Sequence, residues 1–359
     1  MTTRRSFLAS VLVSASLPAI SWADAGGPSY LAAAREVDGT FALFGLTATG
    51  QETFRIALPA RAHAGAAHPH RPEAIVFARR PGTFGLIIEC LSGQVVQDLT
   101  APKGQHFSGH GVFSADGNTL FTGEIDNLTG AGGIGLWSRG NGYRRIGAFA
   151  SGGIGPHEIV RLPGQDVLVV ANGGIITDLD EGRTKLNIDT MQPNLSYLSL
   201  SGDLLDQVIM PPEMRKASIR HLSVNDSGKV AFAMQWEGVP DETPSLIGLH
   251  RMGQDVHLLE VAPVLAQKMK GYIGSIAFSG GTGAGMLAAS CPKGSVIALF
   301  DASGSFRAML DRPDVCGLGS VSGPFFATDG FGGIATVSED GIAPLRATEK
   351  AWDNHLITI

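Results

Sequence analysis

Ser108-Gly109-His110-Gly111-Val112-Phe113-Ser114-Ala115-Asp116-Gly117 is the stretch from which the fold of this chain follows. A histidine opens a short apolar run, and a turn glycine lies seven residues past it. The same arrangement returns in His157-Glu158-Ile159-Val160-Arg161-Leu162-Pro163-Gly164 and in His221-Leu222-Ser223-Val224-Asn225-Asp226-Ser227-Gly228. A shortened copy is His355-Leu356-Ile357-Thr358-Ile359. The chain therefore repeats one supersecondary unit, and each copy offers an imidazole at the same place.

The spacing of these units predicts the architecture. Glycine makes up 48 of 359 residues, about twice its average share, which favours many tight turns. Successive strand starts from position 110 onward are 47, 64, 53, 43 and 38 residues apart. A period in the forties is typical of β-propellers, in which each blade is a four-stranded antiparallel sheet. The candidate starts lie near Pro72, His110, His157, His221, Gly274, Gly317 and His355.

The two ends of the sequence complete the count of blades. Residues 30–37, 41–46 and 53–58 make three strands, one short of a blade, and residues 355–359 make one strand without a blade. We expect that last strand to become the innermost strand of the first blade, which removes exposed sheet edges. The prediction is an all-β, seven-bladed β-propeller over residues 26–359, closed by pairing the C-terminal strand with the N-terminal strands. A short helix is expected at 263–270 and a polar loop excursion at 177–194.

The first 25 residues have the pattern of an export signal. Thr3-Arg4-Arg5-Ser6-Phe7-Leu8 matches the twin-arginine motif, and an apolar run of small residues follows it. Ser21-Trp22-Ala23 or Ala23-Asp24-Ala25 supplies a small-x-small cleavage site. The apolar run is too short to span a bilayer. We therefore expect residues 1–25 to be a twin-arginine signal peptide and the mature protein to be periplasmic, with no membrane span after cleavage.

The net charge and the cysteines limit the classes of partner and cofactor that this chain can bind. The net charge is −6 and the sequence carries no basic block, which argues against nucleic acid as a partner. Cys90, Cys291 and Cys316 allow at most one internal disulfide. The sequence has no Cys-x-x-Cys-His motif, so c-type haem attachment is excluded. Buried free thiols are the favoured interpretation.

The repeated histidines predict a metal site on the propeller axis. The innermost strand of each blade lines the central channel, so histidines at its start converge from different blades. Neutral imidazoles are the commonest transition-metal ligands in proteins. Gly274 and Gly317 leave a gap at blades six and seven. The expected ligands are His110, His157, His221 and His355 of blades three, four, five and one, with His68 and His70 just before the innermost strand of blade two.

Polar residues at the end of the second strands are expected on the same face. They would support the imidazoles or add ligands, with a solvated rim as the alternative. Iron is the favoured ion, and copper or zinc also suits imidazole with carboxylate. His63, His106, His250 and His257 are expected in linkers or outer strands, as ordinary surface residues. The supporting candidates are Glu124, Asp126, Asn172, Glu237 and Asp329.

Several stretches together resemble a known family. They are the twin-arginine leader, residues 109–117, Gly155-Pro156-His157-Glu158 and Ile219-Arg220-His221-Leu222-Ser223. They resemble a family of uncharacterised, twin-arginine-exported periplasmic seven-bladed propellers, commonly encoded beside imelysin-type iron-regulated proteins and a di-haem oxidoreductase. The resemblance implies a role in periplasmic iron uptake or handling, with iron-uptake proteins as partners. It transfers no catalytic residue, because the family has no established reaction.

Three functions stay open on this evidence. The first is a metal-binding accessory protein that holds or passes iron or another transition ion. The second is a metal-dependent enzyme, either a copper or iron redox enzyme or a hydrolase in which the ion activates water. The third is a protein-interaction scaffold that needs no metal.

Overall fold

Short apolar strands alternate with glycine-bearing turns along the chain and assemble into an all-β propeller. The computed structural model describes residues 20–79, 83–177, 184–280 and 285–359. Within those ranges the strands form seven four-stranded antiparallel sheets. The predicted seven-bladed fold is confirmed.

The blades use their strands in chain order. Blade one begins with β1 (Tyr30–Arg35), β2 (Phe41–Leu46) and β3 (Glu52–Leu58). Blade two contains β4 (Ala62–Ala67), β5 (Glu73–Ala78), β6 (Gly85–Glu89) and β7 (Gln94–Leu99). Blade three contains β8 (Gln105–Phe113), β9 (Thr119–Asp126), β10 (Ala131–Ser138) and β11 (Arg144–Ile154). Blade four contains β12 (Pro156–Arg161), β13 (Val167–Asn172), β14 (Asn194–Ser199) and β15 (Leu204–Ile209).

The remaining blades follow the same plan. Blade five contains β16 (Ala217–Val224), β17 (Val230–Trp236), β18 (Ile247–His250) and β19 (His257–Leu258). Blade six contains β20 (Ser275–Phe278), β21 (Met286–Cys291), β22 (Val296–Asp301) and β23 (Phe306–Asp311). Blade seven contains β24 (Val315–Gly319), β25 (Phe325–Asp329), β26 (Gly333–Ser338) and β27 (Gly341–Ala347). The last strand is β28 (Ala351–Thr358).

The last strand closes the ring as the sequence predicted. β28 is the innermost strand of blade one and pairs antiparallel with β1, with Tyr30 opposite Thr358 and Leu31 opposite Ile357. Trp352 of β28 is almost fully buried and packs edge-on against Phe44 of β2, with ring centroids 5.5 Å apart. Closure therefore rests on both backbone pairing and aromatic burial.

The innermost strands line the axis, and apolar layers join the blades. β28, β4, β8, β12, β16, β20 and β24 each contact the next strand in that order, and β24 contacts β28. Second strands such as β5 and β13 are buried along their whole length, whereas the outer strand β7 is mostly exposed. Between blades two and three, Phe77 of β5 packs against Phe107 of β8, with ring centroids 5.4 Å apart. Burial of such layers holds each blade against its neighbour.

One strand assignment from the sequence is wrong. The innermost strand of blade two was expected near Pro72, but β4 (Ala62–Ala67) occupies that place and the strand after Pro72 is the second strand of the blade. His68 and His70 therefore follow the innermost strand instead of preceding it. This displacement changes which histidine of blade two reaches the axis.

The short helix, the cysteines and the polar loop were also predicted from the sequence. The short helix is confirmed as α1 (Pro263–Lys268), and Cys90, Cys291 and Cys316 are buried free thiols, as expected. The loop excursion falls partly outside the described residues; its described part contains a bridge between Thr177 and Lys185. Among the residues that the structure describes, no helix has both the length and the apolar character to cross a membrane.

The predicted leader lies largely outside the described residues, which begin at Ile20. Its end, Trp22–Ala25, forms a 3-10 helix against blades one and two. Trp22 is buried, and its indole Nε1–H donates to the carbonyl oxygen of His68 at 2.8 Å. The fold thus uses Trp22 as a packing residue.

Candidate metal centre

Breaks in strand pairing create the site. A β-bulge adds residues to one strand, bends it and re-aims its side chains. Regular pairing is interrupted between Ala62 and Gly65 in β4, and between Phe107 and Gly111 in β8. It is interrupted again between Pro156 and Ile159 in β12, between Ile219 and His221 in β16, and in β28 opposite residues 32–34. Each interruption contains or ends at a histidine, so five blades present one imidazole each.

The five imidazoles meet on the axis. The ring centroid of His110 lies 4.6 Å from that of His157, 4.8 Å from that of His355 and 5.0 Å from that of His63. His221 is 5.0 Å from His157 and 5.1 Å from His355, and His63 is 4.9 Å from His355. One potential ligand nitrogen of each of His63, His110 and His355 lies within 4.8 Å of the others. We call these five residues the histidine centre: His63, His110, His157, His221 and His355.

A glycine makes room for the histidine that the sequence reasoning missed. Gly109 has a φ of +98°, a conformation that suits glycine. A Cβ at this position would lie 2.4 Å from Cδ2 of His63. The close approach of His63 to β8 therefore depends on glycine at position 109. His63 had been interpreted as an ordinary surface residue, and its position on the axis corrects that.

The centre holds buried nitrogens without hydrogen-bond partners. His110 and His221 are 3% and 4% exposed, and His157 and His355 are partly buried. Nε2 of His110, Nδ1 of His157, Nδ1 of His221 and Nε2 of His355 are buried and make no hydrogen bond. Buried polar atoms are nearly always satisfied, and an exception calls for an explanation such as an unseen ion. Four buried nitrogens without a hydrogen-bond partner therefore lie together at this site, and a bound ion would explain them.

The environment keeps the imidazoles neutral. Burial, together with the positive charge of neighbouring imidazoles and of Arg220, holds the pKa of His110 and of His157 well below the usual value. Burial and Arg220 lower the pKa of His221 to about 3, and burial and His221 lower that of His355 to about 3. An imidazole must be neutral to ligate a metal. These four rings are thus in the ligand form at any physiological pH.

A carboxylate lies against the centre. Oε2 of Glu158 is 3.4 Å from Nδ1 of His221 and accepts the backbone N–H of Leu222 at 3.0 Å. Burial raises the pKa of Glu158 to about 7, although His355 acts to lower it. Glu158 was not among the expected site residues. The bulge in β12 contains both Glu158 and His157, so the two side chains can reach the axis region together.

The two other histidines of blade two do not reach the centre. Nδ1 of His68 accepts the backbone N–H groups of His70 and Arg71 at 3.1 and 3.2 Å. Nε2 of His70 is 2.9 Å from the carbonyl oxygen of Ala115. Their expected place beside the centre is therefore wrong: they stabilise the turn after β4 and tie it to the turn after β8.

Most of the expected supporting residues form ion pairs or hydrogen bonds within the blades and their turns instead of contacting the histidine centre. Glu124 is buried and paired with Arg145 at 2.6 Å, and Asp329 is paired with Arg312 at 2.7 Å. Asp126 accepts the backbone N–H of Thr129 at 2.8 Å, as part of a turn. Asn172 donates to the carbonyl oxygen of Ser151 at 3.0 Å and to Oδ1 of Asn194 at 2.9 Å. Of the five, Glu237 faces the space next to the centre, where it forms an ion pair with Lys185.

Two cavities flank the histidine centre. A cavity of about 570 Å³ is lined by His63, His157, His221 and His355. A second cavity, of about 250 Å³, is lined by Glu158, His221 and His355 and by residues of blades six and seven. His221 and His355 line both cavities, so the centre lies between two accessible spaces.

Comparisons with known proteins identify the fold and a family but no reaction. A family model described as "Protein of unknown function (DUF1513)" matches residues 56–359. Hydrazine synthase from Kuenenia stuttgartiensis is similar in structure, with a TM-score of 0.58 and 12% identity over 89% of this chain and 96% of that chain. A chain of the mitotic checkpoint complex has a TM-score of 0.54 and 12% identity over 79% of this chain and 78% of its own length. At that identity the likeness shows the fold alone. No curated protein matches the sequence.

Proposed function

Since this chain belongs to the DUF1513 family of proteins of unknown function, we propose a function from the geometry of the site: the histidine centre binds one transition-metal ion. The observation that supports this most directly is the set of four buried ring nitrogens on one axis that make no hydrogen bond, one of them 3.4 Å from the carboxylate of Glu158. A transition ion at about 2.0–2.1 Å from each ligating nitrogen would satisfy them. The proposed ligands are drawn from His63, His110, His157, His221 and His355.

The rings fit an ion better than they fit a hydrogen-bond network. Each neutral imidazole carries one acceptor nitrogen and one N–H. Centroid distances of 4.6 to 5.1 Å between neighbouring rings allow small side-chain rotations to bring nitrogens to a common point. Imidazole donors with a nearby carboxylate, Glu158, suit iron, copper or zinc. We favour iron on the family resemblance.

The physiological role we propose is that of an accessory protein in periplasmic iron uptake or handling. Three features of the sequence support it: the twin-arginine pattern at Arg4 and Arg5, the histidine-rich inner strands and the resemblance to propellers encoded beside iron-regulated proteins. In this role the protein holds an ion or passes it to a periplasmic partner. The redox or hydrolytic enzyme is the second candidate, because the cavity of about 570 Å³ would let a small molecule reach a bound ion.

Elemental analysis tests the metal proposal. The protein is purified from its native periplasm without an affinity-tag metal step, and the metal-free form is titrated with Fe²⁺, Cu²⁺ and Zn²⁺. We expect about one ion per chain. His157→Asn should weaken binding at least tenfold, and His257→Asn, on the exposed β19, should not. An absence of ion binding by the folded wild-type protein would overturn the proposal and favour the scaffold.

The export proposal is tested separately. Changing Arg4 and Arg5 to Lys should leave precursor in the cytoplasm, because the twin-arginine pair is the recognition element of that pathway. Mature protein in the periplasm at normal levels would instead indicate the general secretory route. The N-terminal residue of the mature protein is informative too: cleavage after Ala23 or Ala25, the sites expected from the sequence, would remove the buried contacts of Trp22, and cleavage before Trp22 would keep them.

A further inference from the structure

The larger cavity beside the histidine centre has an unusual charge balance for a cation site. Of the residues that the structure describes, four basic and two acidic side chains line it. Lys185 and Glu237 form an ion pair and offset each other. The net charge of the lining side chains is positive, although the protein as a whole carries −6. The basic residues are Arg79, Lys185, Arg220 and Lys293, and the acidic residues are Glu237 and Asp314.

The positive charge reaches the centre itself. Arg220 directly precedes His221 in β16, and both side chains line this cavity. Arg79 also lines it, and its Nη1 lies 3.6 Å from Oδ1 of Asp353. Neutral imidazoles supply no negative charge, and the carboxyl group of Glu158 lines the smaller cavity instead of this one, so a divalent ion would turn positive charge toward these guanidinium groups. Like charges at short range and low dielectric repel strongly.

An anion between the ion and the basic side chains would resolve this conflict. It would complete the coordination of the metal on one side and accept charge-assisted hydrogen bonds on the other. The planar guanidinium groups of Arg79 and Arg220 match the geometry of a carboxylate. The cavity is within the size range of small-molecule sites, which is about 300–1,000 Å³.

The walls of the cavity favour an organic anion over an inorganic one. Phe107, Ile125, Ile175, Trp236 and Pro292 also line it. Apolar walls next to cationic groups suit a ligand with both a carbon skeleton and carboxylates. Inorganic phosphate has no apolar surface to bury there.

We propose that this cavity binds a small organic carboxylate, which enters free or as a metal chelate and completes the coordination of the ion at the histidine centre. The proposal rests on the metal site proposed above and adds its second ligand. It also gives Lys293 a function: Nζ lies 4.4 Å from the ring centroid of Tyr272 at the cavity wall, where it can attract the anion.

Calorimetry with citrate as the probe tests the proposal. Citrate is titrated into the metal-free protein and into the protein loaded with Fe²⁺ or Zn²⁺, and phosphate is titrated in parallel. We expect citrate to bind the loaded protein at least tenfold more tightly than phosphate does. Binding to the metal-free protein would indicate that the free acid is the ligand; binding only with metal would indicate the chelate.

Variants assign the binding to this cavity. Lys293→Gln and Arg220→Gln should each weaken citrate binding about tenfold or more, since charge-assisted hydrogen bonds are lost. Arg307→Gln, on the outer strand β23, is the matched control and should bind citrate as the wild type does. Lys293 is exposed, so its variant keeps the test valid even if Arg220→Gln fails to fold. Metal binding unaffected by citrate, with no citrate heat in either form, would overturn this inference and leave the metal site standing.

Discussion

Oε2 of Glu158 lies 3.4 Å from Nδ1 of His221, and the same oxygen accepts the backbone N–H of Leu222. The carboxylate is therefore fixed by β16, the neighbouring inner strand, while its own backbone belongs to β12. It lines the smaller cavity, whereas His221 lines both cavities. This relationship links two blades at the centre and places one carboxyl group beside the imidazole rings.

Glu158→Gln should lower the affinity for the metal ion about 10- to 100-fold, the range found when a group that orients or supplements metal ligands is removed. Gln keeps the size of the side chain and the acceptor for the Leu222 N–H, so the fold should be unaffected. Binding isotherms of the variant and of the wild type measure the change. Glu339→Gln, an exposed carboxylate on another blade, serves as the control, and an equal effect in both variants would contradict a local role for Glu158.

The stability of the metal-free protein should fall as the pH falls below about 6.5. The pKa of His110, His157, His221 and His355 is depressed in the folded state, so the unfolded chain binds protons that the folded chain does not. Stability is then fully present above the unfolded pKa and is lost between about 6.5 and the folded values. Each histidine contributes up to about 1.4 kcal/mol per pH unit.

The carboxyl group of Glu158 changes the stability with pH in the opposite direction to the histidines. Its pKa in the folded protein, about 7, lies above the ordinary value of a glutamate, about 4.3, so its contribution to stability is present at low pH and is lost as the pH rises through that interval. Urea unfolding with a chelator present, at several pH values between 5 and 8, measures the net slope. His221→Asn should reduce that slope by about one proton. A flat stability profile below pH 6.5 would show that the rings accept protons in the folded state.

His63 and His68 should behave differently when they are substituted. His63→Asn should weaken metal binding at least tenfold, because His63 is one of the three residues whose nitrogens lie within 4.8 Å of one another. His68→Ala should leave the affinity for metal unchanged and lower the free energy of unfolding. It leaves the N–H groups of His70 and Arg71 without their acceptor, at about 1–3 kcal/mol for each group left buried and unsatisfied. Titration and chemical denaturation on the same samples separate the two effects; loss of metal in His68→Ala alone would reverse the assignment.

Removal of residues 355–359 should sharply destabilise the protein. β28 would lose its pairing with the first half of β1, and the sheet edge of blade one would open. The expected drop in Tm is well above 2 °C, since a loss of about 1 kcal/mol moves Tm by about 2–4 °C in domains of 150–250 residues. Leu128→Ser, at a side chain that is 90% exposed, controls for unspecific effects. A truncated protein that melts within about 2 °C of full length would contradict closure by β28.

The repeat could be predicted from sequence because its period, its turns and its apolar runs all agree. A turn glycine lies seven residues past each of His110, His157 and His221, and the spacing of these units predicts a seven-bladed ring. The same logic located four of the five histidines at the centre. It failed in blade two because Ala62–Ala67 contains alanine, glycine and histidine, without the branched and aromatic residues that favour a strand.

The supporting residues were harder to predict for a different reason. In a regular strand, neighbouring side chains point to opposite faces, so Glu158 would be expected to point away from the face that carries His157. The bulge in β12 breaks this alternation, and the sequence does not mark a bulge. Glu124 lies near the end of β9 and Asp329 ends β25, but each forms an ion pair with an arginine, Arg145 and Arg312 respectively. Such pairings depend on the packing of each blade.

His355 belongs to the strand that closes the ring, and this has a consequence for the lifetime of a bound ion. Of the five histidines it is the last to leave the ribosome, so the centre cannot assemble before β28 docks on β1. An ion shared by His355 and His63 would cross-link strands that are distant in sequence, and it would resist fraying of β28. Such an ion would be retained for as long as β28 stays paired with β1.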